Sequence, residues 1–240
     1  MKKQIMSINF DSVTMNEAVS IAEGCIDSSE KCMVVTPNAE IAYAAEKDAN
    51  FADLINNAKL VLPDGVGVVL ASKILGDPVK GKVAGVEFAE NLIKTTKYPV
   101  FFFGGKPGVA EMARDNMKAK YPSCNIVGVR DGYFKEKDIP DIINEINASG
   151  AKIVYVCLGA PKQELFIKTH MDEINAYVFA GLGGSLDVFA GTAKRAPDFF
   201  VKFGLEWLYR LIKQPSRIKR MSVLPLYIIE TIKFKLGGKK

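Results

Sequence analysis

Six short apolar segments, each followed by a turn and then an amphipathic stretch, constrain the fold of this 240-residue chain more than any other feature. The segments are largely apolar on both faces, as is typical of parallel strands covered on two sides. Their alternation with helix-like stretches predicts βαβ units. The segments are 32–35, 60–62, 100–103, 125–129, 153–158 and 177–180.

This pattern predicts an α/β fold with a Rossmann-like, open, mostly parallel sheet and helices on both faces. Helix start signals agree with it. Thr14 and Glu17 form a capping-box pattern, Asn38 can cap the next helix, and Pro107 and Pro161 suit first helical turns. The chain is long enough for one such domain and an appendage.

A polar or glycine-containing turn follows each predicted strand. Because ligands of open parallel sheets bind at the carboxyl edge, these turns predict the position of a binding site. The turns are TPN (36–38), PDGVG (63–67), GGKPG (104–108), RDGYF (130–134), GAPKQE (159–164) and GLGGSLD (181–187).

The chain changes character near Asp198, which predicts an α/β domain at 1–198 and a basic, amphipathic, helical appendage at 199–240. Residues 201–240 carry ten Lys/Arg and two Glu, a net charge of +8, and since the whole chain carries +5, residues 1–200 carry −3. The appendage should therefore meet an anionic partner. It has no apolar run long enough to span a bilayer.

Two interpretations of the appendage remain open on composition. Its basic, apolar and aromatic residues suit short helices that lie on an anionic membrane surface, or a C-terminal helix docked on the domain with a solvated basic face. Binding to nucleic acid is disfavoured because the segment has no recognised reading motif. An adaptor without enzymatic activity would leave the polar turns unexplained.

Several site classes are disfavoured by residue usage. The four cysteines have no CxxC spacing, which predicts buried, reduced thiols. The single histidine, His170, lies in a helix-like stretch away from the turns, which excludes a multi-histidine metal site and disfavours a histidine-based triad. There is no Asp-x-Asp pair for a metal. The N-terminus shows no signal-peptide pattern, so we expect a cytoplasmic protein.

The glycine turns can be read in two ways. The backbone N–H groups around Gly104, Gly105 and Gly183 could meet a phosphate at a helix N-terminus, or the turns could be simple tight connections. Neither turn matches GxGxxG, and no acidic ribose ligand follows. A nucleotide-dependent oxidoreductase is therefore the disfavoured rival.

The polar residues of the turns also have two readings. Asp64 is either the N-cap of the following helix or a general base at the ligand edge, and the local sequence does not decide. Asn38 and Asp187 are caps by default and ligand contacts if this edge is the site. The amide of Gln163 can donate to and accept from a polyhydroxylated ligand, and Tyr133 in RDGYF is included among the substrate-binding candidates.

The turn motifs together resemble the WecG/TagA/CpsF family of glycosyltransferases. The motifs are PDGVGVV, FFFGGKPGVAE, YPSCNIVGVRDGYF, VCLGAPKQE, GLGGSLDVFAGTAKRAPDF and GLEWLYRLIKQPSRIKR, in this order, from about residue 35 to 220. Each is weakly specific alone, but the combination is highly specific.

The resemblance implies transfer of a sugar from a UDP-sugar to a polyprenyl-diphosphate-linked acceptor at the inner membrane face. The most similar branch moves N-acetylmannosamine from UDP-N-acetylmannosamine to undecaprenyl-diphosphate-N-acetylglucosamine, with inversion, in wall teichoic acid synthesis. It also implies a peripheral membrane protein and no cofactor or metal. The oligomeric state is left open between a monomer and a homo-oligomer.

Residue roles follow from the same resemblance. It implies Asp64 as general base, and Thr36 and Gln163 in the sugar pocket. It also implies that arginines of the C-terminal segment, here Arg210, Arg217 and Arg220, close over the diphosphate.

One stretch departs from the family pattern. Where the family usually has R-V-T-G-x-D, this chain has Lys82 and Glu87. Lysine keeps the charge without the bidentate fork of arginine. Lys82 is predicted to stabilise the departing UDP, while the departure leaves UDP-N-acetylmannosaminuronic acid or UDP-glucose, in another surface polysaccharide pathway, as alternative donors.

Overall fold

The computed structural model describes residues 1–193, 197, 200, 209 and 223–237. The proposed boundary at Asp198 and the three arginines Arg210, Arg217 and Arg220 lie outside these residues. The predicted α/β architecture is confirmed: a six-stranded sheet is flanked by helices on both faces.

All six predicted strands form one parallel sheet. The strands are β3 (Cys32–Val35), β4 (Leu60–Val61), β5 (Val100–Gly104), β6 (Ile126–Arg130), β7 (Ile153–Cys157) and β8 (Val178–Gly181). Their order across the sheet is β4, β3, β8, β7, β5, β6, and every neighbouring pair runs parallel.

The helices cover the sheet in two layers because successive strand residues face opposite sides. One core contains Phe102 and Tyr155, and the other contains Phe101 and Phe103. The helices are α1 (Met15–Asp27), α2 (Ala39–Lys47), α3 (Ala49–Asn56), α4 (Val66–Leu75), α5 (Gly85–Thr95), α6 (Val109–Lys120), α7 (Ile139–Ala148), α8 (Lys162–His170), α9 (Ser185–Phe189) and α10 (Val223–Leu236), with a 3-10 turn at Glu136–Asp138.

The expected helix starts are largely confirmed. Thr14 and Glu17 form the capping box of α1, and Asn38 caps α2. Pro161 occupies the cap of α8. Pro107 differs from the expectation: it precedes Gly108, the cap residue of α6, and so stands before the first turn.

A short antiparallel hairpin precedes the sheet and was not predicted. It pairs β1 (Lys2–Ile5) with β2 (Ile8–Asp11), and Ile5, Ile8 and Phe10 are buried in the second core. The carboxylate of Asp11 accepts a hydrogen bond from the Val61 N–H at 2.9 Å, which ties the hairpin to the edge strand β4.

Helix α10 docks on the domain. Tyr227 and Thr231 are fully buried, and a side chain at Gly67 of α4 would collide with Leu224. The docked-helix interpretation therefore describes Val223–Leu236. Among the residues that the structure describes, no helix combines the length and apolar character needed to cross a membrane.

The four cysteines are free and buried, as predicted. His170 is also as expected: its Nδ1 lies 2.7 Å from the Glu173 carboxylate, and its ring packs against Phe166. It lies at the end of α8, about 12 Å along the helix from the turn at the sheet edge.

Candidate functional site

Thr36 and Gln163 come together at the carboxyl ends of β3 and β8. Thr36 follows β3 directly and donates its hydroxyl hydrogen bond to the Gly181 carbonyl at 3.1 Å. A Cβ at Gly181 would lie 3.0 Å from Gln163 Nε2. Because Gly181 has no side chain, the Gln163 amide can lie against the end of β8, where Thr36 also bonds.

Gln163 is buried and fixes the glycine turn after β8. Its Oε1 accepts a hydrogen bond from the Gly183 N–H at 2.8 Å, and its Nε2 donates to Glu164 Oε1 at 2.7 Å. One amide hydrogen remains for other partners. The prediction that this amide contacts a sugar remains a prediction.

Asp64 does not cap its own helix. The cap of α4 is Gly65, at φ +85°, and α4 has no side-chain cap. The Asp64 carboxylate instead accepts from the N–H of Gly85, at 3.4 Å. Gly85 is the first residue of α5, 21 residues further along the chain. The simple cap interpretation of Asp64 is therefore wrong.

The hydrogen bond between Asp64 and Gly85 brings Asp64 close to Thr36. A Cβ at Gly85 would lie 2.8 Å from Thr36 Oγ1, and the Asp64 N–H donates to the Pro37 carbonyl at 3.2 Å. The carboxylate also lies near the N-termini of α4 and α5, whose dipoles favour a negative charge. A partly exposed carboxylate thus lies beside a buried hydroxyl and amide.

Asn38 and Asp187 serve local structure. Asn38 Oδ1 accepts from the N–H groups of Glu40 and Ile41 at 2.9 and 3.1 Å. The Asp187 carbonyl accepts from the Thr192 hydroxyl at 3.1 Å, after the end of α9. The cap interpretation of Asn38 is therefore confirmed. The cap interpretation of Asp187 is wrong, because Asp187 lies inside α9, whose N-cap is Gly184 without a side-chain cap. Contact of either side chain with a ligand stays a prediction.

The turn after β5 packs tightly against the end of β7. Gly104 has φ +132°, and a Cβ there would lie 2.3 Å from the Cys157 carbonyl oxygen. Strands β5 and β7 are neighbours; the chain passes from β5 to β6 on one side of this pair and from β7 to β8 on the other side. The crevice at the carboxyl ends of β5 and β7 is therefore the topological switch point at which open α/β sheets bind ligands.

The backbone N–H groups of two predicted phosphate-binding glycines are used within the protein. Gly105 donates to the Cys157 carbonyl at 3.2 Å, and Gly183 donates to Gln163. The proposed phosphate contacts would need other amides of these turns. The turns themselves remain at the predicted edge, between the ends of strands and the starts of helices α6 and α9.

Tyr133 stands next to the β5 turn with its ring open to solvent. The Gly132 N–H donates to the Gly105 carbonyl at 2.9 Å, and the Tyr133 side chain is 68 % exposed. Such a ring can stack on a planar group. Its role in substrate binding remains a prediction.

Lys82 lies next to the PDG turn. The N–H of the following residue, Val83, donates to the Pro63 carbonyl at 2.9 Å, which holds the two segments together. Glu87 is in the first turn of α5. Within the described ranges, no group of three or more His, Cys, Asp or Glu side chains could hold a metal ion, and independence from metals stays a prediction.

Glu164 is the main feature of this region that the sequence analysis missed. Its side chain is 1 % exposed, its Oε1 accepts from Gln163, and its Oε2 has no hydrogen-bond partner among the residues described. Burial raises the pKa of this carboxyl group above its usual range. The sequence offered no signal for this, because a carboxylate in a first helical turn is ordinarily exposed.

We expect Glu164→Gln to gain stability relative to wild type as the pH rises. The folded-state pKa is raised, so a neutral Glu164 costs little at low pH, and the folded protein loses stability as the pH passes through that pKa. Glutamine has no proton to lose. The measurement is the melting temperature of both proteins at about pH 4, below the ordinary carboxyl pKa, and at about pH 8.

The control for this prediction is Glu164→Ala, which also removes the contact with Gln163. It is expected to lower the stability at both pH values, by about 2 kcal/mol, because the amide loses its acceptor. A stability difference between Glu164→Gln and wild type that does not change with pH would contradict the raised pKa of Glu164.

Comparison with known proteins gives a consistent result. A family model described as "Glycosyl transferase WecG/TagA/CpsF family" matches residues 3–240. A Bacillus spizizenii protein is 35% identical over 99% of this chain and 93% of its own length. A Staphylococcus aureus protein is 32% identical over 100% and 95%, and a Bacillus subtilis protein is 35% identical over 87% and 82%. All three are named N-acetylglucosaminyldiphosphoundecaprenol N-acetyl-beta-D-mannosaminyltransferase.

Proposed function

Because this chain belongs to the WecG/TagA/CpsF family of glycosyl transferases, we propose that it transfers N-acetylmannosamine from UDP-N-acetylmannosamine to N-acetylglucosaminyl-diphosphoundecaprenol. The names of the three relatives state this acceptor and this sugar. In this proposal the product is the disaccharide on its lipid diphosphate, and UDP is released.

The observation that carries the proposal is the position of Asp64. The carboxylate lies at the carboxyl edge of the sheet, near the Thr36 hydroxyl, and it does not cap its own helix. A carboxylate in such a position can act as a general base once a substrate hydroxyl is bound within hydrogen-bonding reach.

The reaction then proceeds by a single displacement. The acceptor hydroxyl oxygen bonds to the anomeric carbon of the donor as the bond from that carbon to the UDP oxygen breaks. Asp64 takes the hydroxyl proton, and the electron pair of the broken bond leaves with UDP. Because attack comes from the face opposite the leaving group, the configuration at the anomeric carbon is inverted.

The departing UDP gains negative charge, which fixed positive groups can stabilise. Lys82 lies beside the PDG turn and can supply one such charge. The N-terminus of α6 opens at the same edge of the sheet and contributes partial positive charge. We assign Arg210, Arg217 and Arg220 to the same task on the resemblance to the family.

We also place the protein on the inner face of the membrane as a peripheral protein. A lipid-linked acceptor lies at that surface, and the segment 201–240 carries a net charge of +8. Basic residues near anionic lipid each contribute about 1 kcal/mol of attraction. Co-sedimentation with phosphatidylglycerol vesicles tests this location, and equal binding to phosphatidylcholine vesicles would contradict it.

The donor is tested with a panel of UDP-sugars and a synthetic polyprenyl-diphosphate-N-acetylglucosamine acceptor. We expect UDP release and lipid product with UDP-N-acetylmannosamine, at about tenfold or greater preference over UDP-N-acetylmannosaminuronic acid, UDP-glucose and UDP-N-acetylglucosamine. Product with UDP-glucose alone would reassign the donor. Binding of NADH, with no UDP release from any donor, would reject a glycosyltransferase.

A further inference from the structure

Helix α4 carries an apolar row on its solvent side that begins at the reacting end of the site. Val66 lies two residues after Asp64, and Val66, Leu70 and Ile74 follow at a spacing of four residues, which places them on one face of the helix. Val66 and Leu70 are 39 % and 44 % exposed. The opposite face, with Val68 and Ala71, is buried in the core.

The row differs from the single apolar residues that are scattered over protein surfaces. Isolated exposed apolar residues are normal on any protein, but these three form a continuous stripe of about 12 Å along α4. Lys73 is the one charged residue between Val66 and Leu75. This face of α4 has no acidic groups, and it leads away from the site proposed for an anionic diphosphate. It can therefore bind an apolar group that is attached to that diphosphate.

The neighbouring helix α10 also carries apolar side chains. Leu224 of α10 packs on Gly67, between the first two turns of the row. On α10, Tyr227 and Thr231 face the domain, while Leu226 and Ile229 are 43 % and 47 % exposed. Helix α10 therefore borders α4 with apolar side chains of its own.

We propose that the row formed by Val66, Leu70 and Ile74 binds the polyprenyl chain of the acceptor where the chain leaves the diphosphate. This inference rests on the proposed function, and it adds a direction to it: the chain runs along α4, away from the carboxyl edge. A narrow row that starts beside Asp64 has the width of a single polyprenyl chain, whereas a bilayer surface would contact a broad apolar patch.

The test uses two soluble acceptors that share the N-acetylglucosaminyl diphosphate head, one as its methyl ester and one as its geranyl ester. For the full-length wild-type protein we expect a lower KM for the geranyl acceptor. Leu70→Gln should reduce the ratio of the two KM values about tenfold, because a half-exposed leucine side chain contributes on that order to apolar burial.

Two further variants provide controls. Leu70→Met keeps an apolar side chain and should retain the wild-type ratio. Ile21→Gln makes the same kind of change on α1, at a side chain that is 36 % exposed, and should leave both KM values unchanged. Circular dichroism melts show whether each variant is folded.

Each of the following results would overturn the inference. Equal KM values for the methyl and geranyl acceptors in the wild type would show that the chain is not recognised. An unchanged ratio in Leu70→Gln would remove the row from the chain's path. If the ratio of the two KM values is unchanged and Leu70→Gln no longer binds phosphatidylglycerol vesicles in the absence of acceptor, the row contacts the bilayer and not the acceptor chain. No transfer to either acceptor from any donor would instead reject the proposed function and, with it, this inference.

Discussion

Asp64→Asn is expected to lower kcat by two to four orders of magnitude, on the order of what general base catalysis contributes, while UDP still binds. Asparagine has nearly the same shape, and its side-chain oxygen can still accept the hydrogen bond from the Gly85 N–H. The amide cannot take a proton from the acceptor hydroxyl. UDP release under saturating substrates measures kcat, and titration calorimetry measures UDP affinity.

The matched control is Asp11→Asn. Asp11 also accepts a backbone N–H through its carboxylate, from Val61, but it belongs to the N-terminal hairpin and has no role in the proposed reaction. It is expected to keep the wild-type kcat. If Asp64→Asn folds and turns over at a rate near wild type, Asp64 is not the base. If UDP affinity falls together with kcat, the carboxylate acts mainly in donor binding.

The sheet could be predicted because its strands leave a strong local signal. Segments such as Val100–Gly104 and Ile153–Cys157 are buried along their whole length, so the sequence is apolar at successive positions and not alternating. Strand and helix alternation then determines that the turns meet at one edge. This reasoning needs no long-range information, because parallel strands joined by helices must end on the same side.

The N-terminal hairpin left no comparable signal. Two-residue hairpin turns favour Asn-Gly or Gly-containing pairs, whereas this turn is made by Met6 and Ser7, with Met6 at φ +55°. Its stability comes from tertiary contacts. Ile5 and Phe10 are buried in the core, and the Thr231 hydroxyl lies 3.3 Å from the Met6 sulfur.

The roles of the site residues depend on partners far away in the sequence. The cap interpretation of Asp64 failed because the helix start is formed by Gly65 at a positive φ, and the actual partner, Gly85, is 21 residues further on. Gln163 was recognised as a site residue, but its contact with Gly183 required the position of β8 relative to α8. Local patterns located the edge, and only the fold assigned the hydrogen bonds.

Gly104→Ala is expected to lower the free energy of unfolding by about 3 kcal/mol or more. At φ +132° an alanine is strained, and its Cβ would lie 2.3 Å from the carbonyl oxygen and 2.5 Å from the carbonyl carbon of Cys157. These are backbone atoms of a central strand, so they cannot move without disturbing the pairing of β5 with β7. Urea unfolding followed by circular dichroism measures the loss.

Two glycine controls separate the causes of that loss. Gly108 has φ +84°, and a Cβ there would meet no atom of the described residues within 4 Å, so Gly108→Ala has strain without a collision and should cost about 1–2 kcal/mol. Gly24 lies within α1 in open space, and Gly24→Ala should stabilise the protein by about 0.5–1 kcal/mol. A Gly104→Ala variant no less stable than Gly108→Ala would show that β5 and β7 can separate at this turn, contrary to a rigid crevice between them.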